Sequence, residues 1–323
     1  MTDGAASSRG GAEVRVGLLA PQFGATAGDA LRAARAAEAS GLEVWLAGQM
    51  LPMADSRAAT ALEPLTLMGA VAAATTTVRL GFMVLAAPYL PPLYLAKALL
   101  TLDELSGGRI EAGLGAGWRE EEFAALGLER GALSARLAHL EATIDALDEL
   151  SGAPVQEPRW PPQARAGLQR ERPPVWVAGS GPKVLALAAR RAQWTNFARG
   201  IGVEDFRAKG AEVTAAVRAE GRGEDATPRL SLTATFMTGD PADLARRIAE
   251  RAAARGVEAG EYERRLRAAN VFVGPPEALA EQMREYADAG CGAFVLWPLD
   301  GDHERAAGHL GAAARLLNAA SVA

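Results

Sequence analysis

Residues 173–191, PPVWVAGSGPKVLALAARR, contain one complete structural unit. Val175–Ala178 is apolar at every position, not at every second one, which is how a strand covered on both faces reads. The predicted strand, Pro174–Ala178, runs into Gly179-Ser180-Gly181. Pro182 then stands where proline opens a helix, and Lys183–Arg191 has helical spacing. Working outward in both directions recovers further units of this kind. The predicted strands are Val14–Leu19, Glu43–Ala47, Val78–Val84, Ile110–Leu114, Pro174–Ala178, Ala192–Asn196, Leu230–Phe236 and Gly292–Trp297. The predicted helices are Asp29–Ser40, closed by Gly41, then Pro64–Ala74, and Tyr94–Leu105, stopped by Ser106-Gly107-Gly108. Ser134–Leu150, Lys183–Arg191, Pro241–Ala254, Pro276–Ala289 and Glu304–Ala319 follow.

Alternation of this kind implies parallel strands joined by right-handed crossovers. An open doubly wound sheet is the alternative. Eight units with no break in composition favour a closed (β/α)8 TIM barrel, one domain over residues 14–323. The irregular stretch 151–172, SGAPVQEPRWPPQARAGLQRER, reads as a surface insertion before the fifth strand. Residues 1–13 read as a disordered leader without the apolar segment of a secretory signal.

The chain of 323 residues has 49% hydrophobic and 23% charged residues, ample for one large core. Its 34 basic and 39 acidic residues are intermixed and give a net charge of −5, which argues against a nucleic-acid partner. No apolar run reaches the roughly 18 residues of a membrane span. The single cysteine, Cys291, excludes an intrachain disulfide and a cysteine zinc site, and fits a reducing cytoplasm.

In such barrels the chemistry sits on loops at the carboxyl ends of the strands. The second strand is followed by Gly48-Gln49-Met50-Leu51-Pro52-Met53, the third by Leu85-Ala86-Ala87-Pro88-Tyr89, the fourth by Gly115-Ala116-Gly117-Trp118-Arg119, and the sixth by Asn196-Phe197. After the fifth, Gly179-Ser180-Gly181-Pro182-Lys183 has the makings of an anion site: glycines allow close backbone approach, helix-start N–H groups point outward, and Lys183 adds charge. Read alone, it is equally a tight turn with Ser180 as N-cap. It is not a P-loop, and the glycines 113, 115 and 117 do not match the dinucleotide fingerprint. Those glycines either let a flat ring lie on bare backbone or serve close packing. The three histidines, His139, His303 and His309, fall away from the strand ends, so neither a Ser-His-Asp set nor a metal cluster assembles there. Such a mouth suits a coenzyme that brings its own reactivity.

Residues 37–45, AEASGLEVW, 63–67, EPLTL, 78–81, VRLG, and 95–97, LAK, lead to residues 101–118, TLDELSGGRIEAGLGAGW, with Glu122-Phe123. Residues 173–182, 273–277, VGPPE, 289–290 and 295–298, VLWP, complete the set. Together these stretches resemble the luciferase-like monooxygenase superfamily, whose members use FMN or the deazaflavin coenzyme F420. The resemblance implies a TIM barrel, usually a homodimer. It implies a coenzyme ring packed at the end of the third strand, where a non-prolyl cis peptide would fall among Leu85, Ala86 and Ala87. It also implies a phosphate held by Gly179, Ser180 and Gly181. The expected coenzyme contacts are Gly48, Leu85, Ala86, Ala87, Gly115, Ala116, Gly117, Gly179, Ser180, Gly181, Lys183 and Asn196, with Gln49 and Trp118 as the catalytic pair and no metal.

The chain departs from the family after the second strand, where Asp-His is common and Gly48-Gln49 stands here. An amide cannot act as a base, although it can orient a substrate. Gly48→Asp with Gln49→His is the change expected to restore that pair. Some FMN members carry a phosphate-contacting arginine just after the fourth strand, where this chain has Ala116, which tilts the choice toward the deazaflavin. The leading expectation is therefore hydride transfer between reduced F420 and a small organic substrate. An FMN-dependent monooxygenase, fed by a separate coenzyme reductase, is the second. A coenzyme-binding protein without turnover is the third.

Overall fold

The computed structural model describes residues 13–52, 60–153, 159–161, 172–198 and 200–319. The strands are β1 (Arg15–Leu19), β2 (Glu43–Leu46), β3 (Leu80–Phe82), β4 (Leu85–Ala86), β5 (Ile110–Gly115), β6 (Val175–Ala178), β7 (Trp194–Phe197), β8 (Arg229–Thr238), β9 (Phe272–Gly274) and β10 (Cys291–Pro298). Between them run α1 (Ala27–Ala39), α2 (Pro64–Ala74), α3 (Pro92–Leu105), α4 (Glu120–Ala125), α5 (Leu133–Leu150) and α6 (Pro182–Arg191). The second half adds α7 (Val203–Ala219), α8 (Pro241–Ala253), α9 (Ala259–Ala268), α10 (Pro276–Asp288) and α11 (His303–Ala319). Starting from β10, the parallel ladder runs through β1, β2, β3, β5, β6, β7 and β8, and β8 pairs back onto β10. This is a closed barrel of eight parallel strands with helices around it, and the open-sheet alternative is excluded.

Three expectations need amendment. The third strand is not continuous over Val78–Val84: it breaks into β3 and β4, both on β5, with a cis peptide at Met83–Val84 between them. The cis bond therefore falls ahead of the expected Leu85–Ala87. A short strand, β9, pairs with the far end of β8 from Phe236 to Thr238. Helices α4, α7 and α9 were not foreseen; α7 hides because only Phe206, Val213 and Val217 of its seventeen residues are buried. Residues 1–12 of the expected leader and most of the expected insertion, residues 154–158 and 162–171, lie outside the described residues. Among the described residues no helix is long and apolar enough to cross a membrane.

The barrel interior is filled in tiers set by the two-residue period of the strands. At the amino ends, Arg15 pairs with Glu43 at 2.5 Å and with Glu111 at 3.1 Å, and Arg79 reaches Glu111 at 2.9 Å. Two residues along each strand stand Trp45, Trp176 and Trp194, with Trp176 and Trp194 stacked at 4.4 Å. Gly17 and Gly81 face them, and a Cβ on either would collide with the Trp45 indole. Arg15 and Arg229 cover the Trp194 ring from below at 5.0 and 4.3 Å. The next tier, two residues further on, includes Leu19, Ala47, Gly115, Ala178, Asn196 and Thr233, and it is the floor of a cavity. Indoles plug the lumen, and small side chains then open it.

The residues that carry the resemblance most strongly turn out to be scaffold. Arg109 donates to Ala72 O and Thr75 O at 2.9 and 3.0 Å and to Val78 O at 3.1 Å, occupying the orphan carbonyls at the end of α2. Gly107 and Gly108, with φ of 70° and 84°, make the turn that delivers it. Glu38 accepts from Thr76 N and Thr77 N at 2.7 Å each. Burial raises its carboxyl, but these N–H donors outweigh that and bring it down to about 2.

Candidate active site

A cavity of about 600 Å³ opens at the carboxyl ends of the strands. Of the expected site residues, Gly48, Gln49, Ala86, Gly115, Ala116, Gly117, Trp118, Gly179 and Asn196 line it. Trp118 stands at the rim, 58% exposed. Ser180, Gly181 and Lys183 are exposed beside it, between the lining residues Gly179 and Val184. Helix α6 is capped by Gly181, not Ser180, and starts without a side-chain hydrogen bond. Leu85 and Ala87 turn into the apolar core, and Met83 and Val84, around the cis peptide, take the wall instead. No histidine lines the cavity among the described residues; His139 Nε2 faces Leu90 O at 2.9 Å. No group of His, Cys, Asp or Glu among the described residues has the arrangement to hold a metal ion.

Bare backbone shapes the floor. A Cβ on Gly115 would come within 2.8 Å of Val84 Cγ2, and one on Gly113 would strike Phe82 O. Gly48 packs against the broken strand so closely that a Cβ would meet Leu85 Cα at 2.7 Å and Val84 O closer still. The expectation that Gly48→Asp would restore an acidic neighbour is thereby corrected, since there is no room for its first carbon. Asn196 is fixed at both ends of its amide, donating to Ser231 Oγ and accepting from Thr233 Oγ1 at 3.1 Å each.

The loop that carries Gln49 is gripped from three sides. Gln22, buried, donates through Nε2 to Gln49 O and to Leu62 O at 2.8 Å each. Glu122, 2% exposed, accepts from Met50 N at 2.8 Å and Leu51 N at 2.9 Å through Oε1. Its Oε2 accepts from Tyr89 Oη at 2.8 Å. Arg119 donates to Leu51 O and Pro52 O at 2.6 Å each. Burial, and then the Glu122 carboxylate, push the Tyr89 phenol well above its ordinary value, so it stays a donor. The Gln49 Oε1 is buried without a partner. A buried carbonyl oxygen left unpaired is a place for a ligand N–H donor.

Sequence reasoning missed Met83, Val84, Tyr89, Glu122, Arg130, Leu133, Arg136, Thr233 and Trp297 as lining residues. For Thr233 the signal was present, since it is two residues beyond Ser231 on the inward face of β8. For Arg136 there was none: its guanidinium comes from α5 and donates to Ala116 O at 3.2 Å and to Gly117 O. A cation therefore stands at Ala116 after all, supplied from a different element, and the tilt against FMN drawn from that alanine is withdrawn.

The luciferase-like monooxygenase family matches residues 8–292. Among curated proteins, the pyrimidine monooxygenase RutA of Variovorax paradoxus (strain S110) is 31% identical over 154 residues, 44% of this chain and 40% of that protein. The matched stretch is thus well under half the relative's length. Among solved structures, an F420-dependent secondary alcohol dehydrogenase in complex with an F420-acetone adduct superposes with a TM-score of 0.74. The two are 17% identical, and the match covers 97% of this chain and 100% of that one. Monooxygenase RslO1 from Streptomyces bottropensis gives 0.70 at 20% identity, covering 92% and 98%. At these identities the structures attest the shared barrel. With the family's pattern matched over residues 8–292, most of its length, the chain belongs to the luciferase-like monooxygenase family.

Proposed function

We propose that the cavity takes a flavin or deazaflavin coenzyme and that the protein transfers hydride between reduced F420 and a small organic substrate. The observation that carries the coenzyme pocket in this reading is the floor itself: glycine backbone, small and apolar side chains, and one unpartnered amide oxygen, Gln49 Oε1. A flat ring fits against Gly115 and the Met83–Val84 wall, and the imide N–H of either ring system suits Gln49 Oε1. Gly179, Gly181 and the start of α6, whose N–H groups no side chain caps, suit the coenzyme phosphate. When bound, such a coenzyme supplies the hydride, and the protein supplies position and dryness. Gln49 orients by hydrogen bonding and moves no proton near neutrality. Tyr89 keeps its proton and donates it in a hydrogen bond to the Glu122 carboxylate. An activated unsaturated compound, whose hydride adduct takes its proton from water, fits these groups better than an alcohol does, because alcohol oxidation needs a base and neither Gln49 nor Tyr89 is one.

A second reading, an FMN-dependent monooxygenase supplied by a separate reductase, is favoured by the guanidinium of Arg136 at Ala116. A homodimer belongs to either reading and is checked by the mass in solution. The test is to express the chain in a host that makes both coenzymes and identify the bound chromophore by absorbance and mass. A bound deazaflavin that is consumed with substrate supports the proposal. Bound FMN with oxygen uptake moves it to the second reading, bound coenzyme without turnover to a silent binder, and a protein that takes up neither coenzyme ends it.

A further inference from the structure

Two arginines line the wall of the cavity on the side of Trp118 and Leu133. Arg136 is 8% exposed, and its Nε is buried without a partner. One terminal nitrogen holds the carbonyls of Ala116 and Gly117, and among the described residues no carboxylate pairs with it. Arg130 pairs with Glu120 at 3.3 Å, but Glu120 is 67% exposed, and the Arg130 Nε is likewise buried without a partner. The single acid on the described lining, Glu122, is already engaged by Met50, Leu51, Tyr89 and Arg119. Burial and then the neighbouring Arg130 charge lower the Arg136 guanidinium, with Glu120 opposing.

A buried guanidinium without a counter-ion, such as Arg136, is costly, and the charge of the partly exposed Arg130 on the same wall adds repulsion. An oxyanion between them relieves both, through charge-assisted hydrogen bonds from donors that are otherwise idle. We propose that Arg130 and Arg136 form an oxyanion site that takes a phosphate or carboxylate group of a bound ligand. This site lies on the β5–α5 side of the mouth and is built from different elements than the α6 loop. The anion comes either with the substrate or with the coenzyme tail. The proposal deepens the functional reading above, and rests on it only for which of the two brings the anion.

Inorganic phosphate is the probe, titrated calorimetrically into the protein without coenzyme and again after coenzyme loading. The parent should bind it saturably, and Arg130→Gln, a change at a partly exposed side chain, should weaken it about tenfold, as should Arg136→Met. Phosphate binding that survives coenzyme loading assigns the site to the substrate's anionic group; binding that coenzyme displaces assigns it to the tail. Equal phosphate affinity in parent and both variants, or no saturable binding by the parent, overturns the site. A protein that takes up no coenzyme undoes the functional reading while leaving the coenzyme-free titration to decide this one.

Discussion

Gly48→Ala is the smallest change that tests whether the broken third strand and the Gln49 loop form one wall. The added methyl would sit 2.7 Å from Leu85 Cα and nearer to Val84 O, both backbone atoms. Carbon atoms in contact sit about 3.5–4.0 Å apart, so one strand end must retreat by roughly 1 Å. Overpacking of this kind costs about 1–3 kcal/mol, which lowers the melting temperature by several degrees at about 2–4 °C per kcal/mol for a domain of this order of size. The larger effect should fall on function. A misplacement of about 1 Å costs up to 100-fold in a positioned reaction. Melting curves and coenzyme titration, run side by side, separate the two effects. If Gly48→Ala melts, binds coenzyme and turns over as the parent does, the packing argument for this wall is wrong.

Other expectations follow from the same geometry. Glu122→Gln keeps the shape but removes the charge that receives Met50 N, Leu51 N and the Tyr89 hydroxyl. Each hydrogen bond to a charged group is worth about 1.5–3 kcal/mol, so kcat should fall and the melting temperature should drop, and an unchanged kcat would show that the grip is irrelevant. Gln49→Ala should cost turnover on the order of tenfold, as expected for one neutral hydrogen bond of about 0.5–1.5 kcal/mol. The parent's pH–rate profile should lack the limb near 6.5 that a catalytic histidine gives; such a limb would mean that the base has been overlooked. Glu38, held down to about 2 from an ordinary 4.5, stabilises the fold fully above about 4.5 and loses that contribution as pH falls toward 2. Glu38→Gln should therefore flatten the acid limb of the melting-temperature curve, and an identical limb in both proteins would contradict the assignment.

The alternation of strands and helices was legible because buried parallel strands are apolar at consecutive positions, as in Val175–Ala178 and Ala293–Trp297. β9 was not, because three residues carry no period, and α7 was not, because Gly210 and a run of charged residues dilute its buried stripe. At the site, Gly115, Gly117 and Gly179 could be read because a strand end followed by glycine is a local signal. The roles of Arg130, Arg136, Tyr89 and Glu122 could not, because each reaches the cavity through contacts far apart in the chain, such as Glu122 with Met50. Trp45, Trp176 and Trp194 looked like ordinary core residues in sequence, yet they set the depth of the cavity by plugging the lumen beneath it.

The central claim is that a flavin-type coenzyme sits in this cavity with its phosphate at the α6 loop. Titrating F420 and FMN into the purified protein, and into Ala178→Trp and Gly181→Asp, tests it most directly. Ala178 is part of the floor, and an indole there should fill the space a ring needs. Gly181 has open space around a Cβ, so the aspartate fits, and as the N-cap of α6 it both adds negative charge and takes up the helix-start N–H groups; like charges a few Å apart cost roughly 1–4 kcal/mol near a surface. The account predicts one equivalent of at least one coenzyme bound to the parent, no measurable binding to Ala178→Trp, and at least tenfold weaker binding to Gly181→Asp, all three proteins being folded by circular dichroism. Parent protein that binds neither coenzyme, or variants that bind as tightly as the parent, would contradict it.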